Sequence, residues 1–107
     1  MFARHVSLRL KANKLNEFTQ VLDQEVVPLL RKQPGFQDAM AFSLNDGMDV
    51  IAISLWDTKE HAEAYNTTSY PQVLTSLSKV ADGTPRVRIS NVISSTLHKT
   101  IGAVVAA

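Results

Sequence analysis

Residues 36–56 read FQDAMAFSLNDGMDVIAISLW, and the alternation around Asn45-Asp46-Gly47-Met48 constrains the chain more than any other stretch. Two runs of strand length, Phe36 to Leu44 and Asp49 to Trp56, flank the dipeptide Asp46-Gly47, which favours the two-residue turn of a β-hairpin. That turn sets Phe42 opposite Ile51, Met40 opposite Ile53, Ala41 opposite Ala52, Ala39 opposite Ser54 and Gln37 opposite Trp56. One hairpin face is then bulky, with Met40, Phe42, Ile51, Ile53 and Leu55. The other is small, with Ala39, Ala41, Ser43, Ala52 and Ser54. A one-residue slip would mix the two sets, so their separation supports the register. The bulky face is expected to receive the helices. The small face is too apolar for a comfortable solvent face and too thin for an ordinary core. With His5 and Ser7 of the first strand expected beside it, it requires either a second sheet packed close or a ligand.

The remaining elements follow from periodicity. In FARHVSLRL (2–10), Phe2, Val6, Leu8 and Leu10 share one face and Ala3, His5, Ser7 and Arg9 the other, which reads as a strand. Asn13 is expected to cap a helix running to about Gln33, with Leu15, Phe18, Val21, Leu22, Val26, Leu29 and Leu30 as its apolar stripe. Pro28 predicts a kink or a tightened last turn, and Pro34-Gly35 ends the element. After Trp56, Asp57 and Glu60 have capping-box spacing. A break at Thr67 to Ser69 precedes a second helical piece, capped by Ser69, with Pro71 in its first turn and Val73, Leu74, Leu77 and Val80 on its apolar side. Asp82-Gly83 is expected to stop it, and a last strand to run from Arg86 to about Leu97, with Val87, Ile89 and Ile93 on one side.

The order β-α-β-β-α-β predicts an α+β, ferredoxin-like sandwich on a four-stranded antiparallel sheet. One domain is expected over residues 1–97. Residues 98–107 read as a small-residue apolar tail that suits either an extra strand or an arm onto a partner. Helices on one side leave the other side of the sheet to be covered, and a second copy of the chain is the economical cover, so a homodimer is expected.

Composition narrows the function classes. A chain of 107 residues buries one core. Its formal charge of +1 comes from scattered basic residues, which argues against nucleic acid as a partner. No apolar run approaches the ~20 residues of a membrane span. Arg4, His5 and Arg9 interrupt any signal core, so the cytoplasm is the expected location. The absence of cysteine excludes thiol catalysis and disulfides. His5, His61 and His98 lack metal-ligand spacing, and no Gly-rich phosphate loop or nucleophile elbow is present, so neither a metal nor a cofactor is expected.

Trp56, the sole tryptophan, stands where an apolar strand gives way to a helix. It is either a core plug or the wall of a binding site. His5 on the small-residue face is either a hydrogen-bonded interface histidine or a general base. His61 and Tyr65 lie four residues apart on one helix side. His61 is either a partly exposed helix residue or a base, and Tyr65 either packs or orients a ligand. Tyr70 beside Pro71 anchors the helix break, and Arg9, Arg86 and Arg88 read as solvated strand-end residues.

PGF (34–36) opening the second strand, and WDTKEHAEAY (56–65) followed by SYPQV (69–73), complete a pattern. Over residues 2–95 the chain resembles the antibiotic-biosynthesis-monooxygenase-like members of the dimeric α/β-barrel superfamily. The resemblance implies a homodimer whose two sheets close a barrel, with a cavity in each subunit for a small hydrophobic or aromatic ligand. Some such relatives oxidise polycyclic phenols to quinones with molecular oxygen and no cofactor, and others cleave haem. Trp56 matches the family's tryptophan. Val6 stands where haem-degrading relatives carry an asparagine, and Tyr65 or Asn66 where they carry a proximal histidine, so haem degradation is disfavoured. The expectation is therefore a cofactor-independent monooxygenase of a phenolic substrate. His5 or His61 would act as base, Trp56 would stack on the ring, and Tyr65, Ser7 and Ser54 would position it. The alternatives are a non-catalytic small-molecule-binding or stress-related protein, and an isomerase or cyclase.

Overall fold

The computed structural model describes residues 1–44 and 47–96. In chain order the elements are β1 (Phe2–Leu10), α1 (Leu15–Val21), a π-helical turn (Leu22–Val26), α2 (Val27–Arg31), β2 (Phe36–Leu44), β3 (Asp49–Trp56), α3 (Lys59–Thr68), α4 (Tyr70–Leu77) and β4 (Ala81–Asn91). The strands form one open antiparallel sheet in the order β2-β3-β1-β4, with the helices on one side, an α+β ferredoxin-like fold. Among the described residues no helix is long and apolar enough to cross a membrane.

The hairpin register holds from Leu44–Asp49 through Asp38–Leu55, then shifts so that Phe36, not Gln37, stands opposite Trp56. The predicted turn residues Asn45 and Asp46, Leu97 and the tail 98–107 lie outside the described residues, and the last strand, expected from Arg86 to about Leu97, instead runs from Ala81 to Asn91, leaving Ile93 beyond its end.

The faces themselves are assigned the other way round from the sequence reading. Val6 pairs with Ala52, Arg4 with Ser54 and Leu8 with Val50, so the small hairpin residues share a face with β1's apolar residues. That face meets the helices. His5 stands opposite Ile53 and Ser7 opposite Ile51, on the bulky side with Met40 and Phe42. The reason is volume. The helical layer brings Phe18, Val26, Leu30, Tyr65 and Tyr70 to the core, and large sheet residues against these would overfill the layer.

Helix ends differ in detail as well. Thr58, not Asp57, caps α3, its hydroxyl accepting from the His61 backbone N–H at 3.1 Å. Asn13 adopts a left-handed conformation (φ 60°) instead of capping, a conformation asparagine tolerates better than most residues. Ser69 occupies the cap position of α4 without a side-chain cap; its hydroxyl donates to Gln33 Oε1 at 3.1 Å. A kink or a tightened last turn was expected at Pro28, which supplies no backbone N–H, and just upstream of it the helix widens into the π turn. Asp82-Gly83 does not end a helix. β4 begins at Ala81, and Gly83 (φ 90°) falls in an irregularity where Ser7 pairs with Arg86 and Arg9 with Asp82.

Candidate functional site

A cavity of about 500 Å³ lies between the sheet and the helices. Its floor is the small-residue face, Ala39, Ala41, Ala52 and Ser54 with Val6 and Leu8; its roof includes Phe18, Leu22, Val26 and Leu30. Short side chains under long ones leave this space. The cavity opens along β2, where Ala39, Ala41 and Ser43 stay exposed, and exposed Asn16, Thr19 and Asp23 mark its rim on the helix side. Met40, Phe42 and Ile53 also reach this rim around the sheet edge.

One end of the cavity is built from rings and a guanidinium. Trp56, wholly buried, stacks on Tyr65 with ring centres 4.9 Å apart and meets Phe36 edge-on at 5.7 Å. Its indole N–H donates to Ser54 Oγ at 2.9 Å. Arg4 Cζ lies over Tyr65 at 5.0 Å and over Tyr70 at 4.3 Å, and Arg4 Nη2 donates to Asn66 Oδ1 at 2.7 Å. Arg4, Ser54, Tyr65 and Tyr70 line the cavity, whereas Trp56 stands behind Tyr65 and does not.

Burial sets the electrostatics here. Desolvation pushes the Tyr65 phenol up to about 12, against a smaller lowering from Arg4. Tyr70 is raised and Arg4 lowered for the same leading reason. Tyr65 is therefore a neutral phenol throughout the neutral range, and Arg4 remains a cation because no protein environment readily deprotonates a guanidinium. The Tyr70 hydroxyl approaches the guanidinium closely enough to favour that charge, and beyond that approach neither it nor Arg4 Nε meets a partner of good hydrogen-bond geometry.

Of the residues singled out in the sequence, Tyr65 and Ser54 reach the cavity and Trp56 braces them. His5 and Ser7 do not, because their strand parity points them to the opposite face, where His5 Nε2 lies 2.7 Å from Ser90 Oγ. His61 lies outside the cavity too. Its Nδ1 is 2.6 Å from Asp57 Oδ1 at the start of α3, and this hydrogen bond is the main cause holding the Asp57 carboxyl below its ordinary range. A side chain at Gly35 (φ 80°) would run into both partners, which fixes glycine at that turn. Arg4 was missed. The signal was its parity, since a charged residue stands at an inward position between Phe2 and Val6. Among the described residues His, Asp and Glu gather nowhere in a group of three that could hold a metal ion.

The fold has solved counterparts. A monooxygenase from Streptomyces coelicolor, in complex with nanaomycin D, superposes with a TM-score of 0.75 at 16% identity, covering 92% of this chain and 92% of that one. SnoaB, a cofactor-independent oxygenase from Streptomyces nogalater, gives 0.72 at 14% identity, covering 91% and 97%. A protein of unknown function from Nitrosomonas europaea gives 0.74 at 13%, covering 92% and 94%. No curated protein matches the chain in sequence. The family model for antibiotic biosynthesis monooxygenase matches residues 1–73, through the cavity floor, Trp56, Tyr65 and Tyr70, and the chain belongs to that family.

Proposed function

We propose that the cavity binds a planar phenolic or polycyclic aromatic molecule and that the chain oxidises it with molecular oxygen, without a cofactor. The observation that carries this reading is the apolar 500 Å³ cavity itself, sized for a small aromatic ligand and set in a chain of a monooxygenase family. Two of its structural counterparts are described as a monooxygenase complexed with nanaomycin D and as a cofactor-independent oxygenase. In the proposed reaction a phenolate gives electrons to O₂. One oxygen atom enters the ring as a quinone carbonyl, and the other leaves as water with the hydrogen displaced from that ring carbon and the proton the phenol gave up. Tyr65 and Ser54 contact the ligand, and Trp56 holds Tyr65 in place from behind.

The same reading includes a homodimer formed through the bulky face, which explains why Met40, Phe42 and Leu44 are 37–46% exposed on one chain. His5 and Ser7 then belong to that interface.

A second reading, a receptor without catalysis, is favoured by one observation: among the described residues no histidine lines the cavity. Titration with a panel of hydroxyanthrones and naphthols, followed by oxygen-electrode and quinone-absorbance measurements, separates the two. Saturable binding with stoichiometric oxygen uptake supports the oxygenase. Binding with no uptake supports the receptor, and no binding across the panel overturns both.

A further inference from the structure

Arg4 is 1% exposed and forms no salt bridge among the described residues. Asn66 supplies a single neutral acceptor, and the faces of Tyr65 and Tyr70 attract the cation without neutralising it. Arg4 Nε and the Tyr70 hydroxyl are sealed in the wall, and beyond the approach of Tyr70 to the guanidinium neither meets a partner of good hydrogen-bond geometry. A cation taken out of water ordinarily demands a paired anion. A simple tie between β1 and the helices would not need the charge, since an apolar side chain of similar length fills such a site at no electrostatic cost. The charge stands at the wall of an otherwise apolar cavity, where low polarisability lets it act over several ångströms.

We propose that the cavity takes its ligand as an anion: a planar aromatic molecule whose carboxylate or ionised phenolic oxygen seats against the Arg4–Tyr70 wall and supplies the negative charge Arg4 lacks. The inference rests on the cavity being a ligand site, as proposed above. The guanidinium holds the anionic oxygen by its charge and selects the ionised form of a phenol. The aromatic body then extends over Ala52 and Val6, toward Leu30. Selection of the phenolate would also deliver the electron-rich form to oxygen without a histidine in the cavity.

The test uses three probes of one shape, 2-naphthoate, 2-naphthamide and 2-naphthol, measured by equilibrium dialysis at neutral pH on the wild type, Arg4→Met and Arg4→Lys. Naphthoate should bind at least about tenfold tighter than naphthamide, or bound naphthol should show the red-shifted absorption of its anion. The first result identifies a carboxylate ligand and the second a phenolate. Arg4→Met should abolish both signatures while retaining naphthamide binding and an undiminished Tm, and Arg4→Lys should restore part of them. Equal binding of naphthoate and naphthamide by the wild type, with unshifted naphthol, overturns the anion assignment and leaves the cavity a neutral aromatic site. Binding of none of the three overturns the ligand cavity as well. The wild-type comparison stands even if Arg4→Met fails to fold.

Discussion

On the helix side of the sheet, Ala39, Ala41, Ala52 and Ser54 lie under Phe18, Leu30, Tyr65 and Tyr70; on the other side, Met40, Phe42, Ile51 and Ile53 remain partly exposed. The small residues have large neighbours, and the large residues face away from the helices. A sheet face is therefore not identified as core by the size of its own side chains. What matters is their volume summed with that of the layer above, since interiors fill to a fixed density. Long helix side chains over short sheet ones fill that layer except where the cavity remains. Two sheets packed face to face sit about 10 Å apart and need long side chains from both.

The largest expected effect falls where the cavity side is fully packed. Trp56→Ala removes the ring that joins Phe36 to Tyr65 and leaves Ser54 Oγ without its donor. Denaturant unfolding should register a loss of about 3–5 kcal/mol. A loss below about 1 kcal/mol, with ligand affinity gone, would make Trp56 a ligand contact instead of a brace. Next comes the open side. Phe42→Asp should raise the dimer dissociation constant about thirtyfold or more while the monomer stays folded, since a charge replaces an exposed aromatic at the proposed interface. Sedimentation equilibrium measures this directly, and an unchanged assembly would move the interface off the bulky face.

Alternation made the two faces legible in sequence, and the register it implies holds from Leu44–Asp49 to Asp38–Leu55. What alternation does not encode is which neighbour each face meets. The helix-facing set follows from β1, where Val6 and Leu8 pair with Ala52 and Val50; that pairing is long-range and has no turn to fix it in the sequence. Without that pairing, alternation alone points His5 to the cavity side and leaves Arg4, one residue away, unmarked. Tyr65 and Ser54 were legible because helix and hairpin periodicity locate them without knowledge of the β1–β3 register. Gly83 read as a helix stop because a glycine at positive φ serves equally in a strand irregularity, and only the pairing with β1 distinguishes the two.

A subtler change tests the cavity floor. Ala52→Leu adds volume at a half-buried floor position between Val6 and Ala41. If the space serves a ligand, aromatic binding should weaken about tenfold or more while stability stays within about 1 kcal/mol or rises. The same substitution in a face meant for tight packing would destabilise by about 1–3 kcal/mol, and the two outcomes are read from one thermal titration with and without ligand.

The smallest expected effect is at the clasp between the Gly35 turn and the start of α3, where Asp57 N–H donates to the Gly35 carbonyl at 2.9 Å and the Asp57 carboxylate holds His61. The folded-state carboxyl titrates below its ordinary value of 3.8, chiefly through the His61 hydrogen bond. The unfolded chain therefore takes up its proton first as pH falls. The stabilisation is complete above the ordinary carboxylate range and is lost as pH drops through the folded value, below about pH 4. Asp57 is more than a third exposed, so water screens most of the interaction. Asp57→Asn should thus lie slightly below the wild type in Tm at pH 6, and the gap should narrow as pH falls below the ordinary carboxylate value of 3.8. A gap that stays constant across that range would assign the clasp to its backbone bond and to glycine's close approach, with no contribution from the carboxylate charge.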